Sequence, residues 1–260
     1  MAPHSDPAGA AVQVRLLGPV DVRVGARLRP VPGIRRTAAL AALALHAGRI
    51  VPHDLLVEAV WNGAPPPTHR NALQNHVSYL RSHLGSRDAI VSGSGGFRLH
   101  LGAAATDVVE VEELLARARA ADVPQARVTL LRAALRRWRD VPLVELYTTP
   151  WFDRHRDRLE RLRATVQADL ADARLAAGDH EAILPELVEQ AVTTPLDEHI
   201  HRRLMLALYR SGRQTDALSV YQRLRETLDV ELGVEPAPAV RALHTAILRQ
   251  DPALVVVPVR

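Results

Sequence analysis

The chain has 260 residues, 47% apolar and 24% charged. This balance excludes a disordered chain and leaves room for about two domains. No apolar run reaches the ~18 residues of a membrane span. Met1 to Ala10 lack the basic start and apolar block of a secretory signal. Cysteine is absent, which excludes disulfides, thiolate catalysis and Cys-ligated metal centres and fits a reducing cytoplasm. Aromatics are 3%, so the core falls to Leu, Val and Ala, a composition that favours helices. All 33 basic residues are Arg; 11 of them face 5 acids in residues 1–105, against 22 and 24 in residues 106–260. The basic excess sits in the first part, as in a polyanion-binding module joined to a nearly neutral one.

In chain order, Val12–Leu17 and Val20–Val24 read as short strands around Gly18-Pro19, with a third near Leu28. Arg35–Ala47 (RRTAALAALALHA) reads as a helix capped by Gly48. Ile50-Val51 is a strand fragment, and Asp54–Trp61 a short helix closed by Asn62-Gly63. Pro65-Pro66-Pro67 forces an extended connection, and Thr68 is the expected N-cap of the next helix, His69–Leu84.

That helix is the informative one. Leu73, Val77, Leu80 and Leu84 form one apolar stripe, and the opposite face carries Asn71, Asn75, Ser78 and Ser82. Gln74 and Arg81 flank this face on one side and Tyr79 on the other. No acid occurs between residues 59 and 87. Amides, hydroxyls and guanidinium groups are what bond base edges and phosphates in a major groove, where a carboxylate would be repelled. A solvated polar face is the plainer alternative. Ala89–Ser92, Gly93-Ser94-Gly95-Gly96 and Phe97–Leu101 then read as a hairpin. Strands, three helices and a hairpin are the order of a winged helix-turn-helix, with Arg98 on the wing facing a minor groove.

The stretch from Arg35 to Gly85, with Val60-Trp61, the triple proline and Asn71 through Arg81, followed by GSGGFRLHL, resembles the OmpR-type winged helix of the SARP activators, the AfsR/DnrI/RedD kind. Two positions depart from that pattern: Tyr79, where a basic residue is usual, and Asn75, where a small apolar one is. The resemblance implies a phosphate contact at Arg81 and a wing contact at Arg98.

The remaining chain reads as helices over Asp107–Ala120, Pro124–Trp138, Phe152–Ala176, Glu181–Ala191, Leu196–Arg210, Gln214–Leu228 and Pro236–Arg249. Gly178 and Gly212 lie 34 residues apart, each between apolar helices, the period of a tetratricopeptide repeat. Trp138 with Pro142-Leu143, Arg158–Leu162 and above all Leu204–Pro252 resemble the bacterial transcriptional activation domain that follows the winged helix in the same family. The expected fold is therefore mainly α. A winged helix with small β elements (12–102) precedes an all-α tetratricopeptide-like domain (106–252), and a tail follows (253–260).

Nothing nominates an enzyme. GxSxG, Walker A and HExxH patterns are missing, and His199 and His201, two apart on a helix, do not share a face for a metal. No cofactor is implied. The reading is a sequence-specific DNA-binding activator. Asn71, Gln74, Asn75, Ser78 and Tyr79 lie on or beside the reading face, Arg70 and Arg81 on phosphates, Arg35 or Arg36 in support, and Arg98 in the minor groove. The resemblance implies double-stranded DNA with direct repeats, head-to-tail pairing of copies and recruitment of RNA polymerase through its sigma factor. It further implies control of a secondary-metabolite (antibiotic) cluster, in the cytoplasm at the nucleoid and away from any membrane. The rival readings are a helical-repeat interaction scaffold with a non-DNA-binding winged helix, and an effector-sensing regulator.

Overall fold

A computed structural model describes residues 11–102 and 105–254. The signal-peptide expectation for the first ten residues, and most of the expected tail, lie outside the described residues. Among the described residues no helix is long and apolar enough to cross a membrane. The chain divides into two compact units, one of residues 1–117 and 132–166 and the other of residues 118–131 and 167–260. The first holds 21 Arg against 14 acids and the second 12 against 15, so the basic excess extends beyond the first hundred residues.

In the first unit, β1 (Val12–Arg15), β2 (Asp21–Val24) and β3 (Arg27–Pro30) form an antiparallel sheet in that order, with Val14 opposite Val22 and Val22 opposite Arg29. Helix α1 (Ile34–Leu45) is the hub: every residue from Thr37 to Ala44 is buried, which is why its sequence is Ala and Leu. It stops at Leu45 rather than Ala47, and the Gly48 N–H bonds the Leu99 carbonyl at 3.0 Å. Helices α2 (His53–Trp61) and α3 (His69–His83) follow, with Asn62 left-handed at φ 49° ending α2. A second sheet runs β4 (Val51–Pro52), β6 (Gly96–Leu99), β5 (Ile90–Gly93). Gly96 has a steric reason to be glycine, since a Cβ there would overlap the Val51 carbonyl of the neighbouring strand.

The turn between β1 and β2 is held from 90 residues or more away. Helix α4 (Asp107–Ala120) begins with a buried carboxylate, and Asp107 accepts the Leu16 and Leu17 N–H groups at 2.8 and 3.0 Å. Burial pushes Asp107 up to about 6, against the pull of those two amides and of Arg139 and Arg15. Arg139 also bonds the Asp21 carboxylate and the Pro19 carbonyl. Leu143, buried at φ 58°, donates its N–H to the Leu16 and Gly18 carbonyls, and Glu145 accepts the Val20 N–H. Residues 132–166 thus complete the first unit. Trp151 is buried with its ring centroid 4.8 Å from that of His155, and burial holds His155 down at about 4.

Helices α4, α5 (Pro124–Leu135) and α6 (Asp153–Ala176) each run from one unit into the other. The second unit continues with α7 (His180–Thr193), α8 (Glu198–Arg210), α9 (Gln214–Leu232) and α10 (Pro238–Leu248). Its core is Leu175, Ile183, Leu187, Leu204, Met205, Leu208, Val220, Leu224 and Ile247. Pro185 sits inside α7 without ending it. The 34-residue repeat is visible in the backbone. Gly178 N–H bonds Leu175 O and Asp179 N–H bonds Arg174 O, and Gly212 with Tyr209 and Arg213 with Leu208 repeat that pattern. Both glycines are left-handed, closing the helices α6 and α8. Asp197, not Leu196, opens α8, accepting the His199 and Ile200 N–H groups. His201 is buried with its ring on the Asp197 carbonyl. Ala253 and Leu254, expected in the tail, belong to a 3₁₀ turn, and the Leu254 carbonyl accepts from Arg210 at 2.7 Å.

Candidate nucleic-acid interface

Three apolar anchors fix the orientation of α3: Leu73, Val77 and Leu80 are 1%, 0% and 0% exposed. Arg70, Asn71, Gln74, Asn75, Ser78 and Ser82 are therefore turned out, and all six are exposed. The helix starts differently from expectation. Thr68 occupies the N-cap position without a side-chain bond to the helix, because its backbone lies at φ −91°, ψ 14° rather than in the extended region a cap needs. His69 instead bonds the Pro66 carbonyl through Nδ1 at 2.9 Å, tying the first turn to the proline segment. Trp61, buried at the end of α2, brings its ring within 6.5 Å of His69 and 6.0 Å of His76.

The two sides of the exposed face are built differently. On one, the Arg36 guanidinium of α1 lies 3.9 Å from the Tyr79 ring centroid, and Tyr79 stacks on His83. Both Tyr79 and Arg36 are half-buried, whereas Arg35 is exposed. Burial first, then Arg36 and Arg35, lowers the His76 pKa. On the other side, Arg81 does not project freely. Its Nε donates to the Ile90 carbonyl at 2.8 Å and its Nη2 to Ser92 Oγ at 3.0 Å, both on β5. Arg98 lies on β6 opposite Val91, between the inward-facing Phe97 and Leu99. Its Nε is buried without a hydrogen-bond partner among the described residues.

None of Arg35, Arg36, Arg70, Arg81 and Arg98 forms an ion pair among the described residues. Some arginines elsewhere are matched with acids, among them Arg15 with Asp21, Arg137 with Glu110, Arg174 with Asp179, Arg203 with Asp172 and Arg225 with Glu235. A surface that gathers cations from α1, α3 and the wing and supplies no carboxylate is fitted to an external anion. Sequence reasoning named these residues but missed the positioning contacts. The Arg36–Tyr79 stack joins residues 43 positions apart, and the Arg81 bonds depend on which strand edge faces α3. Helical periodicity reports neither.

A winged helix with such a face, followed by tetratricopeptide-like helices, defines a transcriptional regulator. The family model of the bacterial transcriptional activator domain matches residues 106–248, and that of the transcriptional regulatory protein C-terminal domain matches residues 34–95. The chain belongs to the SARP-type regulators. The regulatory protein DnrI of Streptomyces peucetius is 33% identical, with 94% of each chain covered. The transcriptional regulatory protein MoaR1 of Mycobacterium tuberculosis is 33% identical over 93% of this chain and 81% of its own. The regulatory protein AfsR of Streptomyces griseus is 37% identical over 94% of this chain, which spans only 25% of that longer protein. The structure of Mycobacterium tuberculosis EmbR in complex with a low affinity phosphopeptide is similar with a TM-score of 0.85 and 31% identity, over 94% of this chain and 66% of that one.

Proposed function

We propose that this protein is a sequence-specific, duplex-DNA-binding transcription activator that reads a major groove with the exposed face of α3. Asn71, Gln74, Asn75 and Ser78 offer the donors and acceptors for base edges. Arg70, Arg35 and the stacked Arg36 neutralise phosphates, and Arg98 enters the adjacent minor groove. The observation that carries this reading is the acid-free face of α3, bordered by arginines that have no ion partner among the described residues.

Copies following one face of the duplex bind head-to-tail on direct repeats about one helical turn apart, ~10–10.5 bp. Family membership supports the rest. The helices after the winged helix bring in RNA polymerase through its sigma factor, and the promoters served belong to a secondary-metabolite cluster.

The test is selection of bound duplexes from a random pool by the full chain at physiological salt. Enrichment of a direct repeat is expected, with one base position in each half changing its preference in Asn75→Ala. No enrichment, or an identical preference in Asn75→Ala, overturns the reading and favours the scaffold.

A further inference from the structure

We propose that Arg81 is a positioning residue that fixes the wing against α3 and so sets where Arg98 meets the duplex, rather than a phosphate contact in its own right. The proposal rests on the DNA-binding reading above.

The strand β5 is the outer strand of its sheet, paired only with β6. His100 N–H bonds Ala89 O, which makes the Ala89–His100 pair a hydrogen-bonded one. Antiparallel ladders alternate, so the next bonded pairs are Val91–Arg98 and Gly93–Gly96. The main-chain groups of Ile90 and Ser92 therefore face out of the sheet, at a free edge. Arg81 closes that edge. Its Nε takes the Ile90 carbonyl and its Nη2 the Ser92 hydroxyl, gripping β5 on both sides of Val91. Val91 is the residue across from Arg98. The last turns of the recognition helix are in this way bonded to the two residues that bracket the wing arginine's ladder partner.

The rest of the wing is held from its other side, where β6 pairs with β4 and the His53 N–H bonds the Gly95 carbonyl at 2.9 Å. It turns through Ser94 and the left-handed Gly95, and its tip is Gly93-Ser94-Gly95-Gly96. Among the described residues, Arg98 itself bonds no protein group through its buried Nε. Without Arg81, β5 loses the two side-chain bonds that tie it to α3, and Arg98 is placed only from the far side, by the pairing of β6 with β4 and the buried Phe97 and Leu99. The two arginines divide the work: Arg81 spends its inner donors on the strand edge, and Arg98 keeps its outer donors for the duplex.

The experiment titrates the full chain with its selected duplex at several salt concentrations, comparing wild type, Arg81→Gln, Arg81→Ala, Arg98→Ala and the Arg81→Ala/Arg98→Ala double variant. A glutamine amide nitrogen can sit where the arginine Nε sits, so Arg81→Gln keeps the bond to Ile90 without the charge. It should hold affinity within about threefold and leave the salt slope unchanged, whereas losing a phosphate contact lowers the slope by ~0.9. Arg81→Ala should weaken binding about tenfold, in line with a lost charge-assisted bond. It should add nothing in the Arg98→Ala background. A lowered slope in Arg81→Gln, or single losses that multiply in the double variant, overturns the proposal.

Amide exchange of residues 90–96 in the free protein reads the clamp with no DNA present. It should quicken in Arg81→Ala and stay slow in Arg81→Gln; unchanged exchange in both variants also overturns the proposal. If the selection finds no preferred duplex while this exchange pattern holds, the DNA-binding reading has failed and the clamp has not.

Discussion

Replacing Asp107 by Asn should change how the stability of the first unit depends on pH. In the folded chain the Asp107 carboxyl is raised from 3.8 to about 6, chiefly by burial. Between those values the native state binds more of a proton than the unfolded chain, so stability falls as pH rises through the window. At ~1.36 kcal/mol per pH unit, the whole window is worth about 3 kcal/mol. His155 acts in the opposite sense. Its folded value, about 4, lies below 6.5, so the stability it contributes is present above 6.5 and lost as pH falls towards 4. The two trends mask each other in the wild type, and the difference between wild type and Asp107→Asn removes the histidine. Trp61, Trp138 and Trp151 all lie in the first unit, so urea unfolding followed by tryptophan fluorescence reports on it. The unfolding free energy of the wild type, less that of Asp107→Asn, should drop by about 2 kcal/mol from pH 4 to pH 7. Parallel pH profiles would refute the assignment of a buried, proton-binding carboxyl to this site.

Two further outcomes follow from the interface and the wing. Arg70→Ala removes one exposed cation without disturbing the core. It should weaken binding to every duplex alike and lower the slope of log affinity against log salt by ~0.9 in a fluorescence-anisotropy titration. Gly96→Ala forces a methyl group onto the Val51 carbonyl, so β4 and β6 must part. A loss of about 1–3 kcal/mol is expected, read as a lower melting temperature, and an unchanged melting temperature would contradict the described packing.

Much of α3 was legible because its signal is local. The stripe of Leu73, Val77 and Leu80 is periodic, and an apolar face that must be buried decides which residues are left outside. The glycines 34 residues apart were legible for a similar reason, since the same helix-ending geometry requires a left-handed residue each time. What was not legible depends on distance along the chain. Asp107 reads as an ordinary acid in the first turn of a helix, yet its partners are the amides of Leu16 and Leu17. No pattern within either segment marks the pair. Nor does composition reveal that residues 132–166 share a compact unit with the winged helix. Arg81 lies between the two cases. Periodicity puts it beside the reading face, but the free carbonyl that captures it belongs to a strand edge whose bonding parity is set only once the hairpin register is known. Thr68 shows a local rule overridden locally: the proline segment sets its backbone, and His69 answers the Pro66 carbonyl instead.

The claim on which the functional account turns is that the outward side of α3 lies against nucleotides, and one charge placed there tests it. Ser78 is exposed in the middle of that face, so Ser78→Glu can be made without touching the core. Binding of the variant to the selected duplex, measured beside its melting temperature, should fall by at least about a hundredfold with no change in melting, as a carboxylate meets the phosphates and base acceptors of the groove. Affinity kept within about threefold of wild type would contradict the account and move the contact surface elsewhere on the molecule.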